Sequence, residues 1–153
     1  MMKLNALVIG YGNPGRKDDG LGPALAEAVT ARGLPGVSVE QNYQLMVEDA
    51  ARVAEHDIVV FADAHRTCDE PFCLIEVEPD PEPTFSTHSV SPGAVLSLAR
   101  EHFGAKAKAY VLGIRGYDFE SFEEGLTDRA RINLDQAIEF IGPFLEERGG
   151  RDD

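Results

Sequence analysis

The stretch VIGYGNPGRKDDGLGPALAEAV, residues 8–29, combines a strand, a glycine-rich loop and the start of a helix. Residues 3–10 form a short apolar run closed by a glycine, which is typical of a strand buried on both faces. Further on, apolar residues recur at helical spacing, and Asp18 and Asp19 are placed to cap that helix and supply its first-turn acids. The stretch therefore predicts a strand, loop and helix unit with two carboxylates at the mouth of the loop.

The rest of the chain alternates between predicted strands and helices. Strands are predicted at 36–43, 57–64, 71–78 and 107–114, and helices at 46–56, from Ser91 to Arg100, and at 127–147 with Thr127 as cap. The third and fourth strands are joined by too few residues for a helical crossover, so the fourth strand is expected to be antiparallel or to lie on an edge. This order predicts a three-layer α/β/α sandwich with a mostly parallel five-stranded sheet, as a single domain over 1–147 with a frayed tail at 148–153.

The charge of the chain excludes some classes of partner. Its 153 residues include 27 acidic and 14 basic side chains, for a net charge of −13. Such a field repels phosphate backbones and anionic headgroups, so neither nucleic acid nor a membrane is an expected partner, whereas a cation, a metal-loaded protein or a basic peptide fits the sign. The spacing of Cys68 and Cys73 matches neither a zinc site nor a disulfide framework, which predicts two reduced thiols in a cytoplasmic protein.

Three side chains are placed where an open α/β sheet binds its ligands, beyond the carboxyl ends of the strands. Asp19 follows the first strand, Asp63 ends the third, and His88 lies in a proline-rich loop before the helix at Ser91. Two carboxylates and an imidazole suit zinc, nickel, manganese or iron, and such a metal can activate water and polarise a carbonyl, as a hydrolase requires.

Each of these residues also has a purely structural explanation when taken alone. Asp19 can be a helix cap or a dipole partner, Asp63 can hold a turn, and His88 can be an ordinary surface residue. Asp18 and His65 are second-rank alternatives, either as ligands or as hydrogen-bond partners of the first three.

A dinucleotide-binding loop is a further alternative. The glycines of a G-x-G-x-x-G pattern are present at Gly10, Gly12 and Gly15, and Glu40 lies near the end of the second strand, where a ribose-binding acid is expected. Against this, Pro14 and the charged segment RKDD delay the helix whose N-terminus would hold the pyrophosphate. The two carboxylates of that segment would also repel it.

Three segments, in this order and spacing, resemble one known family. VIGYGNPGRKDDGLG (8–22), DIVVFADA (57–64) and THSVSPGAVLSLAR (87–100) are similar to the motifs of the hydrogenase maturation endopeptidases, which remove a C-terminal extension from the large subunit of nickel-iron hydrogenases. The resemblance extends to about residue 145. It implies the same α/β fold and a cytoplasmic protease whose partner is the large-subunit precursor.

The resemblance also assigns roles to individual residues. It implies that Asp19, Asp63 and His88 form the catalytic and metal-binding triad, with the second acid of the DD pair as the ligand. The metal would be nickel already inserted in the precursor, so that the protease holds no permanent metal of its own. Gly12 and Asn13 are implied to contact the substrate. Asn13 would brace the loop or polarise the scissile carbonyl, with a simple turn asparagine as the alternative.

The resemblance leaves two matters open. Residues 113–127 are longer and more acidic than the usual stretch after the last strand, which favours a role in partner recognition over that of a solvated loop. The same ligands would also serve a nickel-binding assembly chaperone that recognises the precursor without cutting it.

Overall fold

The computed structural model describes residues 3–81 and 90–149. Within these ranges the strands are β1 (Ala6–Tyr11), β2 (Val37–Asn42), β3 (Ile58–His65), β4 (Phe72–Glu76) and β5 (Lys108–Arg115). The helices are α1 (Leu21–Arg32), α2 (Asp49–Ala54), α3 (Pro92–Phe103) and α4 (Asp128–Gly149), and a short 3-10 helix (Lys17–Gly20) precedes α1. Among these helices, none is long and apolar enough to cross a bilayer.

The five strands form one mixed sheet in the order β2-β1-β3-β5-β4. All neighbours are parallel except β4, which runs antiparallel to β5 at the edge of the sheet. The predicted fold class is therefore confirmed, including the antiparallel strand. The connection from β3 to β4 is too short for a crossover helix, so β4 runs back along the sheet in the opposite direction. It does not pair with β3, because β5 lies between the two strands.

The core lies on both faces of the sheet because β1 is apolar at every position. Val8 belongs to the buried cluster that includes Leu25 of α1 and Leu134 of α4. Ile9 belongs to the opposite cluster, with residues of α2 and α3 such as Val95. Alternate side chains of β1 are thus buried on opposite faces of the sheet. For this reason the sequence of β1 is apolar throughout and does not alternate between apolar and polar residues.

The predicted caps of the two later helices are confirmed. Ser91 Oγ accepts a hydrogen bond from the amide of Ala94 at 3.1 Å, and Pro92 occupies the first position of α3. Thr127 Oγ1 accepts from the amide of Ala130 at 3.3 Å. In both cases a side-chain oxygen satisfies an amide that the helix itself leaves unpaired.

The prediction that Asp18 and Asp19 supply the cap and the first-turn acids of α1 is wrong. Gly20 stands at that position and no side chain caps the helix, while Asp18 and Asp19 lie in the preceding 3-10 helix. Their carboxylates bond to other parts of the chain, as described below, and these bonds outcompete a local cap.

The winding of the chain creates a crevice between β1 and β3. From β1 the chain passes through α1 to β2 on one side, and it returns through α2 to β3 on the other side of β1. Helices α1 and α2 accordingly pack on opposite faces of the sheet. Connections that diverge from adjacent strands leave a crevice at the carboxyl ends, the usual ligand site of such sheets. The loop after β1 and the end of β3 border this crevice.

Candidate active site

The loop after β1 folds back tightly on the 3-10 helix. Gly12 has a φ of 142°, and a Cβ at this position would lie 2.1 Å from the carbonyl oxygen of Asp19. Only glycine tolerates both this backbone conformation and this approach. The amide of Asn13 donates to Asp19 Oδ2 at 2.8 Å, so the carboxylate of Asp19 is held at the end of β1.

Asn13 organises the same turn. Its Oδ1 accepts from the amide of Gly15 at 2.9 Å, and its carbonyl oxygen accepts from the amide of Arg16 at 3.0 Å. These are the bonds of an Asx turn, the alternative weighed for this residue. The substrate contacts implied for Gly12 and Asn13 remain predictions.

Asp63 lies near the end of β3, half-buried and held by two donors. Its Oδ1 accepts from the amide of Ala64 at 2.8 Å. The hydroxyl of Tyr11, on the neighbouring strand β1, also hydrogen-bonds to its carboxylate. Burial raises the pKa of Tyr11, and the charge of Asp63 raises that pKa further, so the phenol stays protonated and acts as the donor. Sequence reasoning missed Tyr11, whose only signal is its place opposite Asp63 in parallel strands.

The two acids act on each other across the crevice. Burial raises the pKa of Asp63 to about 6, and the negative charge of Asp19 adds to this increase, whereas the hydrogen bonds from Ala64 and Tyr11 oppose it. Two partly buried carboxylates in one electrostatic environment favour either a proton or a cation between them. The arrangement therefore suits the binding of a positively charged group.

The third predicted member of the site, His88, lies outside the described residues. Within 3–81 and 90–149, no three histidine, cysteine, aspartate or glutamate side chains come together as a group that could hold a metal ion. The described part of the site is thus the pair Asp19 and Asp63. The triad with His88, and the metal-binding role of all three residues, remain predictions.

Asp18 has a structural role instead. It is completely buried. Its carboxylate accepts from the amides of Tyr117 (2.8 Å), Asp118 (3.0 Å) and Thr127 (2.8 Å), and from the Thr127 hydroxyl (2.8 Å). These bonds tie the 116–127 segment to the loop after β1. With both oxygens engaged in this way, Asp18 is not the acid of the pair that faces the crevice, which supports the choice of Asp19.

His65 shapes the turn after β3. Its Nδ1 accepts from the amides of Thr67 at 3.1 Å and Cys68 at 2.9 Å. Nδ1 therefore acts as an acceptor for both backbone amides of the turn. The contacts in the structure are those of a turn-forming residue.

The 116–127 segment packs across the loop after β1. Lys17 forms an ion pair with Glu123 at 2.9 Å, and the guanidinium of Arg16 lies 5.5 Å from the ring centre of Phe122. Phe122 is nevertheless 84% exposed. The role in partner recognition predicted for residues 113–127, which include this segment, is not tested by these contacts.

Gly10 and Glu40, two residues of the dinucleotide pattern, have structural roles in the fold. A Cβ at Gly10 would lie 2.1 Å from the carbonyl oxygen of Gly22, so glycine is required there by the close packing of α1 on β1. Glu40, the candidate ribose ligand, forms an ion pair with Arg52 at 3.2 Å. The position where a pyrophosphate would bind is occupied by the 3-10 helix that carries Asp19.

Taken together, these features define a three-layer α/β protein with a pair of carboxylates at the switch point of its sheet. The chain is similar to the NiFe hydrogenase maturation protease HycI from Thermococcus kodakarensis KOD1, with 25% identity, 94% of each chain covered and a TM-score of 0.69. It is also similar to the hydrogenase maturating endopeptidase HybD from E. coli, with 25% identity, 95% and 94% covered and a TM-score of 0.72.

A third similarity, to the solution structure of the endopeptidase HycI from Escherichia coli, has 20% identity and a TM-score of 0.68, and it supports the fold alone. No protein-family model matches the chain, and no curated protein does. The similarities to solved structures confirm the resemblance to the hydrogenase maturation endopeptidases, whose fold this chain shares.

The electrostatics of the crevice can be measured directly. In the metal-free protein, the carboxyl carbon of Asp63 is expected to titrate in an NMR experiment with a midpoint near pH 6. Asp19→Asn should lower this midpoint because it removes a neighbouring negative charge, and Tyr11→Phe should raise it because it removes a donor. Asp118 serves as an internal control, since its hydrogen bonds lower its pKa. An ordinary aspartate midpoint for Asp63 would contradict the described environment.

Proposed function

We propose that this protein is an endopeptidase that removes the C-terminal extension of a nickel-iron hydrogenase large-subunit precursor. The observation that supports this most is the pairing of Asp19 and Asp63 at the carboxyl edge of a fold shared with proteins named as hydrogenase maturation proteases. The nickel would be part of the substrate, recognised in the precursor by Asp19, Asp63 and His88. The cytoplasmic location inferred from cysteine usage stays a prediction.

The described residues have the properties that peptide hydrolysis requires. Carboxylates are suitable ligands for a divalent metal, and nickel bound there would supply Lewis acidity at the scissile carbonyl. Asp63, with a pKa of about 6, is also matched to proton transfer near neutral pH. Either the nickel or the Asp63 carboxylate can therefore activate the water. The Tyr11 hydroxyl and the Ala64 amide hold Asp63 in place for both tasks.

The decisive experiment compares nickel-loaded and nickel-free precursor as substrates. Incubation with the protein should shorten only the loaded precursor, and mass spectrometry should detect the released C-terminal peptide. Asp19→Asn should abolish the release, whereas Asp57→Asn, at the exposed amino end of β3, should leave it unchanged.

Two other outcomes would contradict this proposal in different ways. Cleavage that is indifferent to nickel would refute recognition through the metal. A stable complex with the loaded precursor that is never cut would instead favour the assembly chaperone.

A further inference from the structure

The two cysteines converge on one glycine at the edge of the sheet. Cys73 of β4 is the register partner of Gly113 of β5, and its Sγ lies 3.0 Å from the place where a Cβ of residue 113 would be. Cys68, in the turn between β3 and β4, has its Sγ 3.6 Å from the carbonyl oxygen of Gly113. Both sulfurs therefore approach the same residue, where the missing side chain leaves room for them.

The two thiols also contact each other. The side chain of Cys68 hydrogen-bonds to that of Cys73, and both residues are free and partly exposed. Among residues 3–81 and 90–149, no further ligand completes a metal-binding group with this pair. The nearby His65 uses its Nδ1 for two backbone amides. The pair is thus a dithiol that solvent-borne reagents can reach.

We propose that Cys68 and Cys73 form a reversible disulfide that covalently links the turn after β3 to strand β4. The turn is already held in place, because the amide of Cys68 donates to His65 Nδ1 and its carbonyl oxygen accepts from Arg115 at 2.8 Å. Asp63 precedes this turn by only a few residues, so the disulfide would form close to the candidate active site. This inference does not depend on the proposed peptidase function.

The oxidation balances with glutathione disulfide as the oxidant. One cysteine thiolate attacks a sulfur of glutathione disulfide and releases one glutathione thiolate. The second cysteine then attacks the protein sulfur of this mixed disulfide and releases a second glutathione. The protein loses two electrons and two protons, and the oxidant becomes two glutathione thiols.

The proposal is tested on the full chain treated with glutathione disulfide. The intact mass should fall by two hydrogens, both thiols should become unreactive toward a thiol reagent, and peptide mapping should link residues 68 and 73. The closed loop is short, so thermal unfolding should shift upward by about 5 °C, and dithiothreitol should reverse the shift. The double variant Cys68→Ser/Cys73→Ser should show no shift.

The single variants test the route through a mixed disulfide. Cys68→Ser and Cys73→Ser should each stop at a mixed disulfide between glutathione and the remaining thiol. Two thiols that stay free, two separate glutathione adducts, or a disulfide between two chains would each overturn the proposal. These readouts do not involve precursor cleavage, so they are independent of the outcome of the nickel experiment.

Discussion

An Asp63→Asn variant is expected to lose precursor cleavage by about a thousandfold and to be more stable than the wild type at pH 7. The loss follows from the proposed role of the Asp63 carboxylate as nickel ligand or proton acceptor. The gain follows from its pKa of about 6 in the folded protein, which means that folding disfavours the charged form. Asparagine keeps an oxygen for the Ala64 amide and the Tyr11 hydroxyl but carries no charge.

The direction of the pH dependence follows from the raised pKa. Below the ordinary aspartate pKa the carboxyl is protonated in both the folded and the unfolded state, so its charge costs no stability. The loss of stability caused by ionising Asp63 grows as the pH rises toward 6 and reaches its full size above pH 6. At pH 7 the variant should therefore gain about 2 kcal/mol in unfolding free energy, a value already reduced for partial exposure. The gain should shrink steeply as the pH falls to 4 and vanish below the ordinary aspartate pKa.

Thermal unfolding at the two pH values and a cleavage assay measure both effects. Asp57→Asn is the matched control, because Asp57 lies at the other end of β3 and its side chain is exposed. A variant of Asp63 that still cleaves normally would contradict its assigned role. One that loses stability at pH 7 would contradict the described environment of the carboxylate.

The second large effect is expected for Asp18→Ala, which should lower the unfolding free energy by about 3 to 5 kcal/mol. Asp18 is fully buried, and its removal leaves three backbone amides and the Thr127 hydroxyl without an acceptor. Each orphaned donor costs about 1 to 3 kcal/mol, although relaxation of the loop recovers part of the sum. Denaturation with urea measures the change.

Asp19→Asn is the most informative variant to compare with Asp18→Ala, because the two acids are adjacent in the chain. It should change stability by less than about 1 kcal/mol, since the asparagine oxygen still accepts from the amide of Asn13, and yet it should abolish cleavage. The reverse pattern, in which Asp18→Ala is harmless and Asp19→Asn unfolds the protein, would mean that the roles of the two acids have been exchanged.

Much of the fold could be predicted because its signals are local. Apolar runs or alternating patterns predicted the five strands, and Ser91 and Thr127 marked two helix starts. The short connection before β4 indicated its antiparallel direction. The cap of α1 was missed for the opposite reason. The partners of Asp18 lie 99 to 109 residues away in the chain, and local spacing contains no information about them.

The candidate site was only partly predictable. The rule that ligands bind at carboxyl ends of parallel strands placed Asp19 and Asp63 at the same edge, and their electrostatic interaction agrees with it. The bond from Tyr11 depends on the register of β1 against β3, which the sequence does not reveal. His88 was predicted from its place in the loop before the Ser91 helix and from the family resemblance, and it lies outside the described residues.

The two consecutive acids also limit how the loop after β1 can vary in length. Gly12 meets the backbone of Asp19 too closely for any side chain, while the carboxylate of Asp18 is completely buried. Inserting or deleting a single residue within 12–19 would break the bonds of Asp18 or move the carboxylate of Asp19 away from the end of β1. Natural or engineered changes of length should therefore not be tolerated between residues 12 and 19.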